Sequence, residues 1–311
     1  MKRTPFGFVL MAYLLACLVW GHTSFVSRIT LQGYPTFVAA ALRMTLAALA
    51  ALALWCASNG LMKRHNWQHW RAMILAGVMN GIGLAGIYWA LRSITGGLVT
   101  TILALQPVAV TVLGCFFGAR RATVLNLMGA LVAFAGLSLI FWERLLLSAE
   151  QGAAILVMAA SAVLLGASYF PLNSARELPI FARLALVFIP MAIVLWLVAG
   201  LETASIDWMR SPGSLPLWPS VGVIYLGIVG MVVPFLAFFL VLNEWGEVTA
   251  ATMDFMIPLV ALTTDRLFEK EPTGLGMLGA LGITLVLMGV ALTLRKRQMP
   301  VPVPEATATS S

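Results

Sequence analysis

Apolar residues in this chain neither alternate nor recur at a helical period; they continue for the length of a bilayer crossing. Ten such runs can be read: Phe6–Ser27, Pro35–Ser58, Trp70–Leu91, Thr95–Phe117, Thr123–Phe141, Gly152–Leu172, Phe181–Leu201, Leu217–Leu242, Val248–Phe268 and Gly274–Leu294. About 20 apolar residues in a helix cross the ~30 Å hydrocarbon layer. Glycine and proline are frequent inside the runs, which is tolerated where neighbouring helices re-satisfy freed backbone groups. A transmembrane barrel would instead show alternation over segments of ~10 residues. The pattern predicts an all-α integral membrane protein with ten transmembrane helices.

Composition sharpens this by exclusion. Of 311 residues, 61% are apolar and 10% charged, against ~25% charged in an ordinary soluble domain. A soluble enzyme and a disordered chain are both excluded. The net charge of +7 does not signal nucleic acid, because Lys and Arg sit mostly in short segments between apolar runs. Cys17, Cys56 and Cys115 all fall in apolar stretches and make neither a disulfide framework nor a zinc spacing.

The basic residues set the expected orientation. With a cytoplasmic N-terminus, the inner side holds Lys2, Arg3, Lys63, Arg64, Arg71, Arg120, Arg121, Arg176, Arg183, Arg295, Lys296 and Arg297. The outer side holds Arg28, Arg92, Arg144, Arg210, Arg266 and Lys270, half as many, so both termini are expected in the cytoplasm. The segment 298–311 is rich in Pro, Ala, Thr and Ser and is expected to be disordered.

The two halves resemble each other. Ala90-Leu91-Arg92 precedes a helix carrying Pro107, and Val241-Leu242-Asn243 precedes one carrying Pro258, both at an offset of 151. Gly21 matches Gly166, Pro35-Thr36-Phe37 matches Pro179-Ile180-Phe181, and Gly129-x6-Gly136 matches Gly282-x6-Gly289. Five spans per half is an odd number, so residues 148–297 would enter the membrane inverted relative to residues 1–147, the construction of many secondary transporters.

At this point the chain resembles the EamA-type transporters of the drug/metabolite transporter superfamily. The resemblance rests on Leu18-Val19-Trp20-Gly21 with Phe25, Ala40-Ala41-Leu42-Arg43, and Tyr88-Trp89-Ala90-Leu91-Arg92 with Thr95-Gly96-Gly97. Pro107, Gly129-Ala130, Ala135-Gly136, Pro258, Glu271-Pro272-Thr273 and Gly279-Ala280 extend it to nearly the whole chain. Arg120 stands where that family usually has a glutamate; its repeat partner Glu271 keeps the acid. The resemblance implies a central cavity built by both repeats and export of small metabolites such as amino acids.

Ionisable residues at membrane depth cost several kcal/mol, so each is a functional candidate. Asp254 is the acid within a span, expected about two turns (~9 Å) from the cytoplasmic end of the ninth helix. Pro258, four residues on, cannot donate to the Asp254 carbonyl, whereas Leu103 holds the same place before Pro107. That asymmetry marks Asp254 for proton coupling, since low dielectric lets a carboxyl take up and release a proton. Arg43 is assigned a gating or structural role with Pro107 and Pro258, direct binding of an anionic substrate being the lesser reading. His22 is either a polar cavity group or a neutral histidine bonded between helices. Trp20, His22, Asn80, Gln106, Tyr169 and Thr252 combine aromatic faces with hydrogen-bonding groups, a mixture suited to a zwitterionic or aromatic metabolite.

Three motifs are decoys. Gly81-Ile82-Gly83-Leu84-Ala85-Gly86 matches a dinucleotide fingerprint but lies mid-span with no preceding strand. His65 and His69 have metal-ligand spacing but sit among Lys63, Arg64, Trp67 and Trp70, as an interfacial loop would. Leu14-Leu15-Ala16-Cys17 resembles a lipoprotein box, yet the apolar run continues past it.

The expectation is a secondary transporter of the inner (plasma) membrane, not an enzyme, exporting small metabolites by alternating access with proton coupling. Its partners are a small-molecule substrate and the lipid bilayer, with no nucleic acid, cofactor or metal; a homodimer is left open. The alternatives are an exchanger of phosphorylated metabolites or nucleotide-sugars, which should need several cavity Lys or Arg residues, and a non-transporting membrane receptor or scaffold.

Overall fold

Helices form nearly the whole computed structural model, which describes residues 4–58, 67–94, 99, 102–116, 124–140, 151–211, 216–269 and 277–295. They are α1 (Phe6–Leu31), α2 (Thr36–Ala57), α3 (Trp67–Ala90), α4 (Leu105–Phe116), α5 (Val124–Ile140) and α6 (Gly152–Ser174). The second half continues with α7 (Ile180–Ala199), α8 (Thr203–Arg210), α9 (Leu217–Trp245), α10 (Glu247–Ala251), α11 (Met253–Glu269) and α12 (Met277–Arg295). No strand occurs among the described residues. Six helices (α1, α2, α3, α6, α7 and α9) are long and apolar enough to cross a membrane, and shorter apolar helices lie within α4, α5 and α12. The chain is thus a multi-pass membrane protein. Thr95–Gly97, Phe117, Thr123, Phe141, Gly274, Glu271, Arg120, His65 and the segment 298–311, named above, fall outside the described residues.

Prolines set several helix starts. Pro5, Pro35, Pro179 and Pro216 stand immediately before α1, α2, α7 and α9. A missing N–H costs nothing there, because the first turn has no intrahelical acceptor for it. Inside α9, Pro234 has the opposite effect. It cannot bond the carbonyl four residues back, and the segment Ile228–Val232 widens into a π-helical turn.

The ninth run departs from a single helix. α10 ends at Ala251 and α11 starts at Met253, so Asp254 occupies the first turn of α11 rather than lying two turns inside a helix. Thr252 N–H reaches back only to the Thr249 carbonyl (3.1 Å) and Phe255 N–H to the Thr252 carbonyl (3.2 Å). The Thr252 hydroxyl also donates to Thr249 (2.7 Å), completing a tightened turn. In the first half, Ile102 and Leu103 are helical, Ala104 is in a turn, and α4 begins at Leu105.

Lipid-embedded helices gain little from apolar burial against one another, so they pack where small residues let backbones approach. α5 and α12 show this most clearly. A Cβ on Gly136 would lie 2.6 Å from the Gly282 carbonyl oxygen, and one on Gly129 2.8 Å from that of Gly289. Because Gly129 meets Gly289 and Gly136 meets Gly282, the two closing helices run antiparallel. α2 packs on α7, α3 on both α6 and α7, α4 on α6, and α1 on both α9 and α11. Gly21 and Gly166 make similar contacts. A Cβ on Gly21 would approach the Ile257 carbonyl (3.2 Å), and one on Gly166 the Gln106 carbonyl (3.0 Å), the two carbonyls being 151 residues apart.

Gly136→Val is expected to force α5 and α12 apart. Overpacking of this kind costs about 1–3 kcal/mol, seen as a lower thermal midpoint in detergent, whereas Gly152→Ala, with open space at its Cβ, should leave the midpoint in place.

A candidate substrate cavity

A cavity of about 240 Å³ lies among α1, α3, α4, α6, α9 and α11, reached also by Arg43 of α2 and Met191 of α7. Helix directions place its two ends. α1 runs antiparallel to α9, since Thr30 meets Gly222 and Thr23 meets Gly230, and α3 runs antiparallel to α6, since Gly83 meets Leu165 and Gly86 meets Ser161. Ser27, Arg28, Tyr88 and Leu91, near the C-terminal ends of α1 and α3, therefore form one end of the lining. Tyr169, Leu172, Phe238 and Asp254 form the other. The wall is largely apolar and aromatic: Trp20 meets Phe235 edge-on at 5.6 Å between ring centroids, and Phe238 meets Tyr169 edge-on at 5.0 Å.

Asp254 is 7% exposed and sits at the closed end. The Tyr169 hydroxyl donates to its Oδ2 at 3.0 Å, tying α6 to α11. Its place in the first turn of α11 puts the carboxylate at the positive end of that helix dipole. Among the described residues, Tyr13 and Cys17 of α1 also interact with it electrostatically.

Below Asp254 the protein is closed by successive polar and aromatic contacts. Tyr13 donates to the Thr252 hydroxyl (3.0 Å), whose own hydrogen is used on Thr249. Trp245 lies against both Tyr13 and Phe6. Asn173 bonds Glu247, and Thr4 donates to Glu244 at 2.7 Å. Arg183, 1% exposed, donates to Asn243 Oδ1 (3.0 Å) and the Leu172 carbonyl (2.9 Å) and stacks over Phe239 at 4.0 Å.

Arg43 is 6% exposed on the cavity wall. It donates to the Tyr88 hydroxyl (3.0 Å) and to Met231 Sδ (3.0 Å), the latter within the π-helical turn, and its Nε has no partner. Just beyond the C-terminal end of α3, Arg92 pairs with Glu202 and lies over Phe37 at 4.7 Å. Partial burial lowers the Arg92 pKa from its ordinary value, though a guanidinium remains charged at neutral pH.

Of the residues singled out from sequence, Trp20, Asn80, Gln106, Tyr169, Arg43 and Asp254 all line this one cavity. Asn80 turns its amide nitrogen onto the Ala76 carbonyl at 2.8 Å. His22 and Thr252 do not line it. His22 faces α9, where Nε2 meets the Tyr225 hydroxyl, while Nδ1 meets the Leu18 carbonyl of its own helix (2.7 Å). Thr252 lies beneath the cavity against Tyr13. Pro107 and Pro258 are inside the helices that carry Gln106 and Asp254 and shape them without reaching the cavity. Sequence reasoning missed Met231 and Tyr88 as partners of Arg43. The signal for Met231 was available in Pro234, whose missing N–H marks an irregular turn around it. No group of three His, Cys, Asp or Glu residues able to hold a metal occurs among the described residues.

Comparisons with known proteins agree with this architecture. The model of the EamA-like transporter family matches the chain twice, over residues 7–142 and 152–295. An uncharacterized transporter of Synechocystis sp. is 23% identical over 295 residues, covering 88% of this chain and 86% of its own. The uncharacterized transporter YvbV of Bacillus subtilis is 25% identical over 291 residues, covering 90% of each. A protein of known crystal structure shares the fold with a TM-score of 0.75 at 18% identity, covering 94% of this chain and 99% of that one.

Tyr169→Phe should remove the bond to Asp254 at a cost of about 1 kcal/mol, the usual worth of an interhelical hydrogen bond in a membrane. A denaturation midpoint only slightly below that of the wild type is the expected result; complete loss of folded protein would mean that the bond does more than join α6 to α11.

Proposed function

Because the chain belongs to the EamA-like transporter family, we propose that it is a secondary transporter that exports small metabolites, amino acids or related compounds, across the inner (plasma) membrane by alternating access, coupled to protons. The observation that carries this reading is one cavity lined by helices of both halves, with the Tyr169–Asp254 bond at one end. A solute held there touches elements that can rearrange around it, which is what alternating access requires.

The inverted repeat of residues 1–147 and 148–297 is part of the proposal. It is supported by the two separate family matches, by the antiparallel pairing of α5 with α12, and by the matching contacts of Gly21 and Gly166. With the excess of basic residues inside, the end of the cavity near Arg28 and Leu91 faces outward and the layer around Tyr13, Trp245 and Arg183 closes the cytoplasmic side. Leu103 corresponds to Asp254 and Ser24 to Tyr169, at offsets of 151 and 145. Both first-half residues line the cavity, but their side chains are not a hydrogen-bonding pair. The seal between α6 and α11 thus has no counterpart at the outer end.

Asp254 is the coupling group in this reading. As a carboxylate it accepts the Tyr169 hydroxyl; protonation removes the charge that holds this contact and favours separation of α11 from α6. Among the described residues its electrostatic neighbours are Tyr169, Tyr13 and Cys17, none of them a cation. Among the described lining residues the cations are Arg28 and Arg43, fewer than the several Lys or Arg residues that exchange of phosphorylated compounds should need.

Reconstituted in proteoliposomes with a pH gradient and assayed with a panel of amino acids, the wild type should move solute. Asp254→Asn should reduce gradient-driven flux to the level of empty liposomes while eluting as folded protein; full flux in that variant would remove Asp254 from the coupling. No flux of any panel member by the wild type would favour a receptor or scaffold. In a background without the native cysteines, Ser24→Cys should react with a membrane-impermeant thiol reagent added outside, and Tyr13→Cys should be protected. The reverse pattern would place the opening on the cytoplasmic side.

A further inference from the structure

Arg43 carries a positive charge within the membrane, and its described neighbours do little to balance it. No carboxylate among the described residues forms an ion pair with it. Its two hydrogen bonds end on a phenol oxygen and a thioether sulfur, and sulfur is a weak acceptor. The Tyr88 ring centroid lies 5.9 Å from its central carbon, and Nε is buried without a partner. Arg183 provides the contrast. It too leaves Nε unpaired, but it has two oxygen acceptors and a ring face at 4.0 Å, and it lies outside the cavity lining.

Helix packing does not explain the guanidinium either. The backbone of α2 at position 43 is what the neighbouring helix uses: a Cβ on Gly227 would lie 2.7 Å from the Arg43 carbonyl oxygen. In the other half the corresponding contact is a Cβ on Gly77 at 2.5 Å from the Val187 carbonyl. The offset of 144 that pairs Pro35 with Pro179 pairs Arg43 with Val187. The same interhelical contact therefore forms with a valine, and the charged head is an addition to the fold directed at the cavity.

We propose that Arg43 is the anchor for a carboxylate group of the transported solute and so a determinant of its specificity. A guanidinium presents a planar fork that matches a carboxylate with two charge-assisted hydrogen bonds, and a bound carboxylate supplies the acceptors and the negative charge that Tyr88 and Met231 do not. Trp20, Leu84, Ile87 and Phe235 on the same wall suit an apolar body on that solute. Asp254, at the closed end of the same cavity, is then free to serve the coupling proton or a cationic second group. This assignment rests on the cavity being the substrate site proposed above.

The test uses two probes that differ only in their charged head, 3-phenylpropionate and 3-phenylpropylamine, titrated calorimetrically into the purified full-length protein. The wild type should bind the carboxylate, and Arg43→Gln should weaken it about 10–100-fold, the range for losing hydrogen bonds to a charged group. Arg43→Lys, which keeps the charge but loses the fork, should fall between. Equal affinity of wild type and Arg43→Gln for 3-phenylpropionate overturns the proposal, as does a wild type that fails to bind the carboxylate at millimolar concentration. If Arg43→Gln does not fold, Arg43→Lys alone decides, unchanged affinity counting against the anchor. Binding and flux separate this idea from the transport reading: carboxylate binding without flux leaves the anchor and removes the carrier, and flux indifferent to Arg43→Lys does the reverse.

Discussion

Hydrocarbon offers no hydrogen-bond partner, so every polar group carried into the membrane must find one inside the protein or remain unpaired at a cost of several kcal/mol. Most of this molecule obeys that constraint locally. Thr45 donates to the Ala41 carbonyl, Thr111 to Pro107 and Ser138 to Phe134, each bending back onto its own helix. Others cross between helices, as where Trp196 reaches Thr45 and joins α7 to α2. Arg43 satisfies the rule only in part, and it does so on the wall of the cavity. Incomplete satisfaction at that place is the physical reason to regard the cavity as built for a solute.

The same constraint explains why small residues decide the packing. Apolar side chains are as well solvated by lipid as by one another, so helices associate where backbones can come close. Gly129 and Gly136 do this for α5 against Gly289 and Gly282 of α12, and Ala40, Ala41, Ala47 and Ala51 of α2 are all fully buried. The pairs α5–α12 and α2–α7 contribute little to the cavity lining beyond Arg43 and Met191. They act as the frame, leaving α1, α3, α4, α6, α9 and α11 to enclose the space.

Much of the architecture could be read from the chain because both signals, apolar run length and glycine spacing, act locally. The matched Gly-x6-Gly pairs identified two closing helices, which pack together. Six polar or aromatic residues chosen by type converge on one cavity because the membrane leaves them few other places to be. The sequence reading was weaker where three-dimensional neighbours decide. His22 shares a helix with Trp20, yet its direction on α1 turns it to Tyr225 instead of the cavity. Thr252 lies two residues before Asp254, but the break between α10 and α11 aims it at Tyr13. That break carries no unambiguous residue signature: Pro258 predicts a freed carbonyl at Asp254, and the chain resolves the strain a turn earlier.

Arg43 and Asp254 on the cavity wall break whatever symmetry the halves share. Arg43 belongs to the second helix of the first half and faces Val187 across the proposed repeat; Asp254 belongs to the fourth helix region of the second half and corresponds to Leu103. A cavity with perfect two-fold symmetry would have no preferred way round for a solute and no difference in energy between its two closed ends. Arg43 and Asp254 would supply both differences in the proposed carrier. As the proposed anchor, Arg43 would distinguish one pole of the solute from the other, and Asp254 gives α11 a hold on Tyr169 that Ser24 and Leu103 could not form. On the proposed repeat, these two side chains have no charged counterpart at Val187 and Leu103, and that difference is what the proposed proton coupling would draw on.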